Sequence, residues 1–163
     1  MTFTIDNVLD SLAGVLKARY PDYPVYASPN QQGTIYPCFF VFLMPSTMAE
    51  EVNDRARRDL GIDVVFVQER NLVNGYDGIH AVQEYLDYAL ETFQYADGSG
   101  ETVPIHTFER QASVEDDELH YQFHIRQRVS YPRTPNTMKE MEENNVGIKE
   151  NRIEENGTKA GVK

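Results

Sequence analysis

The alternation of apolar and polar side chains from residue 118 to residue 131 places the strongest limit on how this chain can fold. One side of the segment carries the apolar residues Leu119, Tyr121, Phe123, Ile125, Val129 and Tyr131. The other side carries His120, Gln122, His124, Arg126, Arg128 and Ser130, and only Gln127 breaks the pattern. A period of two predicts a β-strand with one buried face. Residues 102–114 form a second predicted strand, and the acidic turn at 115–117 joins the two into an antiparallel hairpin.

Two segments instead show the period of an amphipathic helix. Residues 4–19 place six apolar side chains on one face, Thr4 and Asp6 are candidate N-caps, and Pro21 stops the helix. Residues 79–93 repeat the pattern, with Phe93 as the last residue of the buried face. A loop is predicted over 71–78 from its Asn-Gly and Asp-Gly pairs.

Further strands are predicted at 23–27, 36–44 and 61–68, and Gly61 is interpreted as a bulge within a longer strand from about 51 to 68. Strands outnumber helices, and the late hairpin is antiparallel. The predicted fold class is therefore α+β, with two helices packed on one face of a mostly antiparallel β-sheet.

The last 32 residues, 132–163, are polar and contain no aromatic residue. Alone, such a segment cannot bury enough apolar surface to offset the entropy of ordering it. We therefore expect an α+β domain at 1–131 and a C-terminal tail at 132–163 that orders on a neighbouring subunit. This expectation favours a component of an assembly over a free enzyme.

The net charge of −11 lies entirely outside that tail, which carries six basic and six acidic residues. An acidic body argues against nucleic-acid binding through clustered Lys and Arg. No apolar stretch reaches the length of a membrane span, and the N-terminus lacks a basic region before an apolar one. The one cysteine, Cys38, excludes an intrachain disulfide and lies in an apolar run, which predicts a buried thiol.

Motifs for catalysis, metal binding or cofactor binding are not found in the sequence. It has no phosphate-binding glycine loop, no serine elbow and no CxxC pair. His120 and His124 lie about 13 Å apart on one strand, which is too far for both to bind one metal. With His106 they offer a weak three-histidine alternative, but a surface pair fits better. The acidic run 115–118 fits a solvated turn.

Two groups of basic residues suggest contact surfaces. Arg55, Arg57 and Arg58 form a cluster within the acidic body, and His120, His124, Arg126 and Arg128 form a positive strand face. These side chains either pair with nearby acids such as Asp54 and Asp59 or form complementary faces between identical subunits.

Several segments, taken in order, resemble the tail terminator proteins of long-tailed phages, prophages and contractile bacteriocin-like particles of Gram-positive bacteria. They are Tyr20-Pro-Asp-Tyr-Pro-Val-Tyr26, Gln31-Gln32-Gly33, Pro37-Cys-Phe-Phe-Val-Phe-Leu43, Gly61-Ile-Asp-Val-Val-Phe-Val67 and Leu119-His-Tyr-Gln-Phe-His-Ile125, followed by Met138-Lys-Glu-Met141. The resemblance covers about residues 5–145.

The resemblance implies a structural role in the virion and no catalytic residues. Such proteins form a ring, usually of six subunits, at the head-proximal end of the tail tube. The ring ends tube polymerisation, contacts the neck or connector and, in contractile tails, meets the last sheath ring. The implied partners are other copies of the chain, the tube protein and possibly the sheath and neck proteins. Met138 and Met141 join the basic residues as candidate contacts. The resemblance also implies that the protein is made in the bacterial host cytoplasm.

Three alternatives stay open at this point. One is another neck or head–tail joining protein. Another is a monomeric module that binds a ligand between the helix at 79–93 and the sheet. The third is a metal-dependent enzyme that uses His106, His120 and His124.

Overall fold

A computed structural model describes residues 3–28, 33–73 and 75–130. Within these ranges the chain forms two helices and seven strands. In chain order they are α1 (Ile5–Arg19), β1 (Val25–Tyr26), β2 (Cys38–Leu43), β3 (Thr47–Glu50), β4 (Arg55–Val67), α2 (Gly75–Ala89), β5 (Thr92–Ala96), β6 (Thr102–Glu115) and β7 (Glu118–Ser130). Residues 132–163, the predicted tail, lie outside the described residues.

One sheet contains all of these strands, in the order β1-β2-β4-β7-β6-β5, and β3 pairs with β4 beyond the end of β2. Only the short pairing of β1 with β2 is parallel, and the other pairings are antiparallel. The long strands β4 and β7 form the centre, in continuous register from Arg55 opposite Ser130 to Phe66 opposite Leu119.

Both helices bury their apolar faces against the same face of this sheet. Thr4 caps α1 by accepting a hydrogen bond from the backbone N–H of Asn7 at 3.2 Å. The buried residues of α1 are Val8, Leu12 and Leu16, and those of α2 are Ile79, Val82 and Leu86. They pack in one core with β4 and β7 residues such as Ile62 and Tyr121.

The predicted α+β class is confirmed. No helix among the described residues is both long enough and apolar enough to cross a membrane.

The hydroxyl groups of the half-buried Tyr85 and the buried Tyr121 form hydrogen bonds that hold the helices in position. The Tyr85 hydroxyl on α2 donates to the Val15 carbonyl of α1 at 2.8 Å. The Tyr121 hydroxyl on β7 donates to the Asp87 carboxylate of α2 at 2.7 Å, and burial raises the pKa of Tyr121. The first bond therefore connects the two helices and the second connects α2 to the sheet, and neither hydroxyl is left without a hydrogen-bond partner.

The acidic hairpin is confirmed, with a turn of only two residues, Asp116 and Asp117, between β6 and β7. Both have positive φ, 49° and 62°, as the central residues of a type I′ hairpin turn do. A second irregularity was not predicted. The register between β6 and β7 shifts between Phe108 and Gln111, and Glu109 there has a φ of 52°.

The interpretation of Gly61 as a bulge is wrong. β4 pairs with β7 through Gly61 without a register shift. On its other side, β2 pairs with β4 as far as Ile62 and β3 resumes at Asp59 with the register offset by one residue, so the extra residue lies in the β2–β3 segment and not in β4. The glycine is instead required by close packing. A Cβ at this position would lie 2.8 Å from Met44 Cβ and 3.2 Å from His124 Cε1.

The second helix is shifted from its predicted position. It begins at Gly75, so the predicted loop 71–78 ends early, and it stops at Ala89. Phe93, predicted as its last buried residue, lies in β5 opposite Ile105. The pattern of apolar residues does not distinguish the two, because Phe93 would be buried either as the last residue of the helix or as a residue of a strand. The strand β3 was also missed, since all four of its residues are exposed.

Candidate functional site: the two ends and the outer face of the sheet

The face of the sheet opposite α1 and α2, called the outer face here, carries the polar side chains of β7. Alternation along β4 places Asp59 and Asp63 on this face, opposite Arg126 and Gln122 of β7. The predicted positive strand face therefore exists, but carboxylates of β4 lie within it.

Arg126 is held by two partners on the outer face. Its Nε and Nη2 donate to the two carboxylate oxygens of Asp59 at 2.7 and 2.9 Å. Its guanidinium carbon also lies 4.8 Å from the ring centre of Phe108. The hydrogen bond from Arg126 lowers the pKa of Asp59 below its ordinary value. Such a bidentate and stacked arrangement suits arginine and not lysine.

The two histidines predicted as a surface pair bind different carboxylates. His120 Nδ1 lies 2.9 Å from Asp63 Oδ2, whereas His124 Nε2 lies 4.0 Å from Glu109 Oε2. The other oxygen of Asp63 is buried and has no hydrogen-bond partner among the described residues. His106, the third histidine of the metal alternative, is instead paired with Thr92 Oγ1 at 2.7 Å. No group of three potential ligands in the described part of the chain could hold a metal ion.

A strip of stacked aromatic rings continues the outer face towards its β1 edge. Phe40 and Phe42, both partly buried, lie 5.6 Å apart and almost parallel, and Tyr26 packs on Phe40 at 5.3 Å. Val65, opposite Phe40, is 2% exposed. Cys38 is fully buried, as predicted from its apolar run.

The arginine end is the name used here for the part of the sheet formed by Arg55, Arg57 and Arg58 of β4 and Arg128 of β7. Arg57 lies directly opposite Arg128, and Arg128 donates to the Glu51 carboxylate at 2.9 Å. Among the described residues, the β4 arginines form no ion pair. Arg55 and Arg57 are exposed and Arg58 is half-buried. Local pairing with Asp59, one of the two interpretations, is taken up by Arg126 instead, although Asp59 also feels the charge of Arg57.

The acidic cleft lies at the opposite end of the sheet and has a volume of about 840 Å³. Of the described residues, four carboxylates line it, those of Glu69, Asp116, Asp117 and Glu118, together with one cationic side chain, Arg70. The Tyr76 hydroxyl, at the N-terminal end of α2, donates to Asp117 Oδ1 at 3.1 Å. Three exposed apolar side chains also line the cleft: Tyr36, Leu72 and Tyr76.

The sequence predicts the arginine cluster but not the cleft. The acidic run 115–118 is interpreted as a solvated turn, because nothing local to that run indicates Tyr36 or Tyr76 beside it. The ligand pocket predicted between the second helix and the sheet is also displaced, since the cleft lies at the start of α2 and not under it. Met138 and Met141, the other candidate contacts, lie outside the described residues.

Comparison with known proteins gives a family. A protein-family model described as "Phage tail terminator protein" matches residues 7–137. No curated protein matches the sequence significantly. Among solved structures, a chain from the "Virion of native gene transfer agent (GTA) particle" is similar at 17% identity and a TM-score of 0.47, covering 76% of this chain and 94% of that one. A second solved chain is similar at 16% identity and a TM-score of 0.35, covering 80% of this chain and 99% of that one.

Proposed function

The chain belongs to the phage tail terminator protein family, and from this premise we propose that it forms a ring that caps the head-proximal end of a tail tube. The family match over residues 7–137, which includes nearly the whole described domain, carries the proposal. Membership makes the protein a structural component of the virion tail. In the proposed role the ring consists of six copies, ends polymerisation of the tube and of any contractile sheath, and presents a surface to the neck.

The distribution of polar groups supports a role in assembly. Within the described ranges the outer face places its charged side chains in pairs between β4 and β7, such as Asp59 with Arg126 and Asp63 with His120. These pairs join neighbouring strands of the sheet. Among the described residues, the exposed side chains of Arg55 and Arg57 at one end of the sheet, and of Glu69 and Asp116 at the other, form no ion pair. Both termini of the long strands are thus candidate contacts.

The tail at 132–163 belongs to the same proposal. In the ring, each tail lies on a neighbouring copy and gains from that copy the apolar contacts that its own sequence lacks. Met138 and Met141 are the proposed apolar contacts within it, because methionine adapts its shape to an irregular surface.

Deletion of the gene from a phage or prophage that carries it tests the proposal. Tail lengths are then measured by negative-stain electron microscopy, with plasmid-borne wild-type protein as the control. A terminator predicts tails or tail tubes of uncontrolled length, which the plasmid restores to normal length.

The same images separate the neck alternative from the terminator. Loss of a joining protein predicts tails of normal length that are detached from heads. Tails of normal length would therefore contradict the terminator role, whether or not heads are attached.

A further inference from the structure

From the charges at the two ends of the sheet we infer a head-to-tail contact between copies, in which the arginine end of one copy docks in the acidic cleft of the next. The inference rests on the proposed ring and assigns the two surfaces that would close it. The partner is thus a second copy of this chain.

The two surfaces lie too far apart to neutralise each other within one copy. They occupy opposite ends of β4, Arg55–Val67, whose 13 residues span about 40 Å at 3.3 Å per residue. At physiological ionic strength, dissolved salt screens the interaction between exposed charges that are more than about 8 Å apart. Each end therefore presents its charge outward, and no ion pair within the described residues neutralises Arg55 or Arg57 at one end or Glu69 or Asp116 at the other.

The arginine end supplies donors that are free to act. Arg55 and Arg57 are exposed and, among the described residues, form no ion pair, while Arg128 opposite Arg57 is already bound to Glu51. Two arginines side by side repel each other, which costs some stability in an isolated subunit. A carboxylate from outside would relieve that repulsion and accept the paired N–H groups of a guanidinium.

The acidic cleft supplies what arginine side chains bind. Within the described ranges, its four carboxylates outnumber its single cation, Arg70, by four to one. The exposed rings of Tyr36 and Tyr76 line the same cleft and offer faces on which a guanidinium can stack. One oxygen of Asp117 is used by Tyr76, which leaves the second oxygen available.

Exposed apolar side chains gather at the cleft end, which is a second and independent sign that this surface is covered in the assembly. Three of the ten exposed large apolar residues in the described part of the chain line the cleft, namely Tyr36, Leu72 and Tyr76, and Ile35 and Val73 adjoin them in the sequence. Val73 is 90% exposed. At the arginine end, Met48 and Val52 are also exposed, and Met48 pairs with Arg58. Contiguous exposed apolar groups rimmed by charges are typical of protein contact sites.

The two surfaces differ, so the contact is heterologous. Repetition of a heterologous contact by rotation about one axis closes a ring, whereas added translation makes an open filament. The ring of the proposed function requires the first of these two geometries, a contact repeated by rotation alone.

A charge-swap experiment tests the contact in the full-length protein. The first variant is Arg55→Glu with Arg57→Glu, and the second is Glu69→Lys with Asp116→Lys. Lys17→Glu with Arg19→Glu, on α1 and outside both surfaces, is the control with the same change in net charge as the first variant. Circular dichroism confirms that each variant folds, and sedimentation velocity over a concentration series at low and high salt gives the oligomeric state.

We expect the wild type and the control to form a closed oligomer that weakens as salt rises. Each charge-reversal variant should associate roughly 100-fold more weakly, since like charges then face each other. An equimolar mixture of the two variants should recover the oligomer, because every contact in an alternating ring again joins opposite charges. Four substitutions in one chain should recover it too.

The inference is overturned if either folded variant associates like the wild type, or if the mixture stays dissociated. It is also overturned if the wild type stays monomeric up to about 1 mM, a concentration at which even a weak specific contact is half-formed. Tail-length measurements keep this failure apart from that of the proposed function. If both variants still end tails at normal length, the proposed contact is wrong and the terminator role stands. If the charge swap restores the oligomer but deletion of the gene leaves tail lengths normal, the terminator role is wrong and the contact stands.

Discussion

The guanidinium of Arg126 on β7 binds both carboxylate oxygens of Asp59 on β4, at 2.7 and 2.9 Å. The pair lies directly across the two central strands, since Asp59 and Arg126 are register partners. It therefore fixes the register of the sheet near the arginine end, and it occupies the one β4 carboxylate that could otherwise have neutralised Arg57.

The Asp59–Arg126 pair should make stability depend on acid pH. Because Arg126 lowers the pKa of Asp59 in the folded state, the pair contributes fully above the ordinary value of 3.8 and its contribution is lost as pH falls below that value. We expect Asp59→Asn to lower the melting temperature at pH 7 by about 1–3 °C, a small effect because solvent screens the pair. Thermal melts of both proteins from pH 7 to about pH 2 should converge at the acid end. A difference that stays constant over this range would contradict the assignment.

Two glycines should respond in opposite directions to the same substitution. Gly61→Ala would place a Cβ 2.8 Å from Met44 Cβ, so we expect a loss of about 1–3 kcal/mol in the free energy of unfolding. Gly14 lies within α1, and a Cβ added there would meet nothing within 4 Å, so Gly14→Ala should add about 0.5–1 kcal/mol. Urea denaturation of the two variants measures both. Equal effects would show that the space around Gly61 adjusts at little cost.

Cys38 should react with thiol reagents only when the protein unfolds. The side chain is fully buried, and burial, with a smaller effect of Glu118, raises its pKa to about 11. The thiolate is the reactive form, so this rise from 9.0 reduces it about 100-fold before access is considered. Iodoacetamide labelling followed by mass spectrometry should give slow modification in buffer and rapid modification in denaturant. Rapid labelling of the folded protein would show that this edge of the sheet opens.

Local periodicity of apolar residues predicts the helices and strands that bury one of their own faces. The hairpin ending at Ser130 and the helix capped by Thr4 follow from patterns within about 15 residues. β3 could not be predicted in this way, because all four residues are exposed and the strand exists through its pairing with β4. Tertiary pairing, and not local preference, determines such a strand.

The candidate contact surfaces likewise include one that the sequence predicts and one that it does not. The cluster of Arg55, Arg57 and Arg58 is visible in the sequence as a local run. The distance between this cluster and the acidic turn is not visible in the sequence, because it depends on the antiparallel register of β4 and β7 over their full length. The cleft is harder still. Tyr76 and Asp117 are 41 residues apart in the chain, and no spacing rule brings a helix start to a hairpin turn.

Removal of the tail should separate folding from assembly. The buried core of the described domain lies entirely between Val8 and Ile125, so a chain that ends after Pro132 retains all of the residues that form it. We expect this truncated chain to keep the far-ultraviolet circular dichroism of the domain and a cooperative melt. Its association should weaken, because in the proposed ring each tail lies on a neighbouring copy. Sedimentation velocity of the truncated and full-length chains, compared at equal concentration, measures the loss. An unfolded truncated chain would show that the tail completes the domain itself, and unchanged association would remove the tail from the subunit contact.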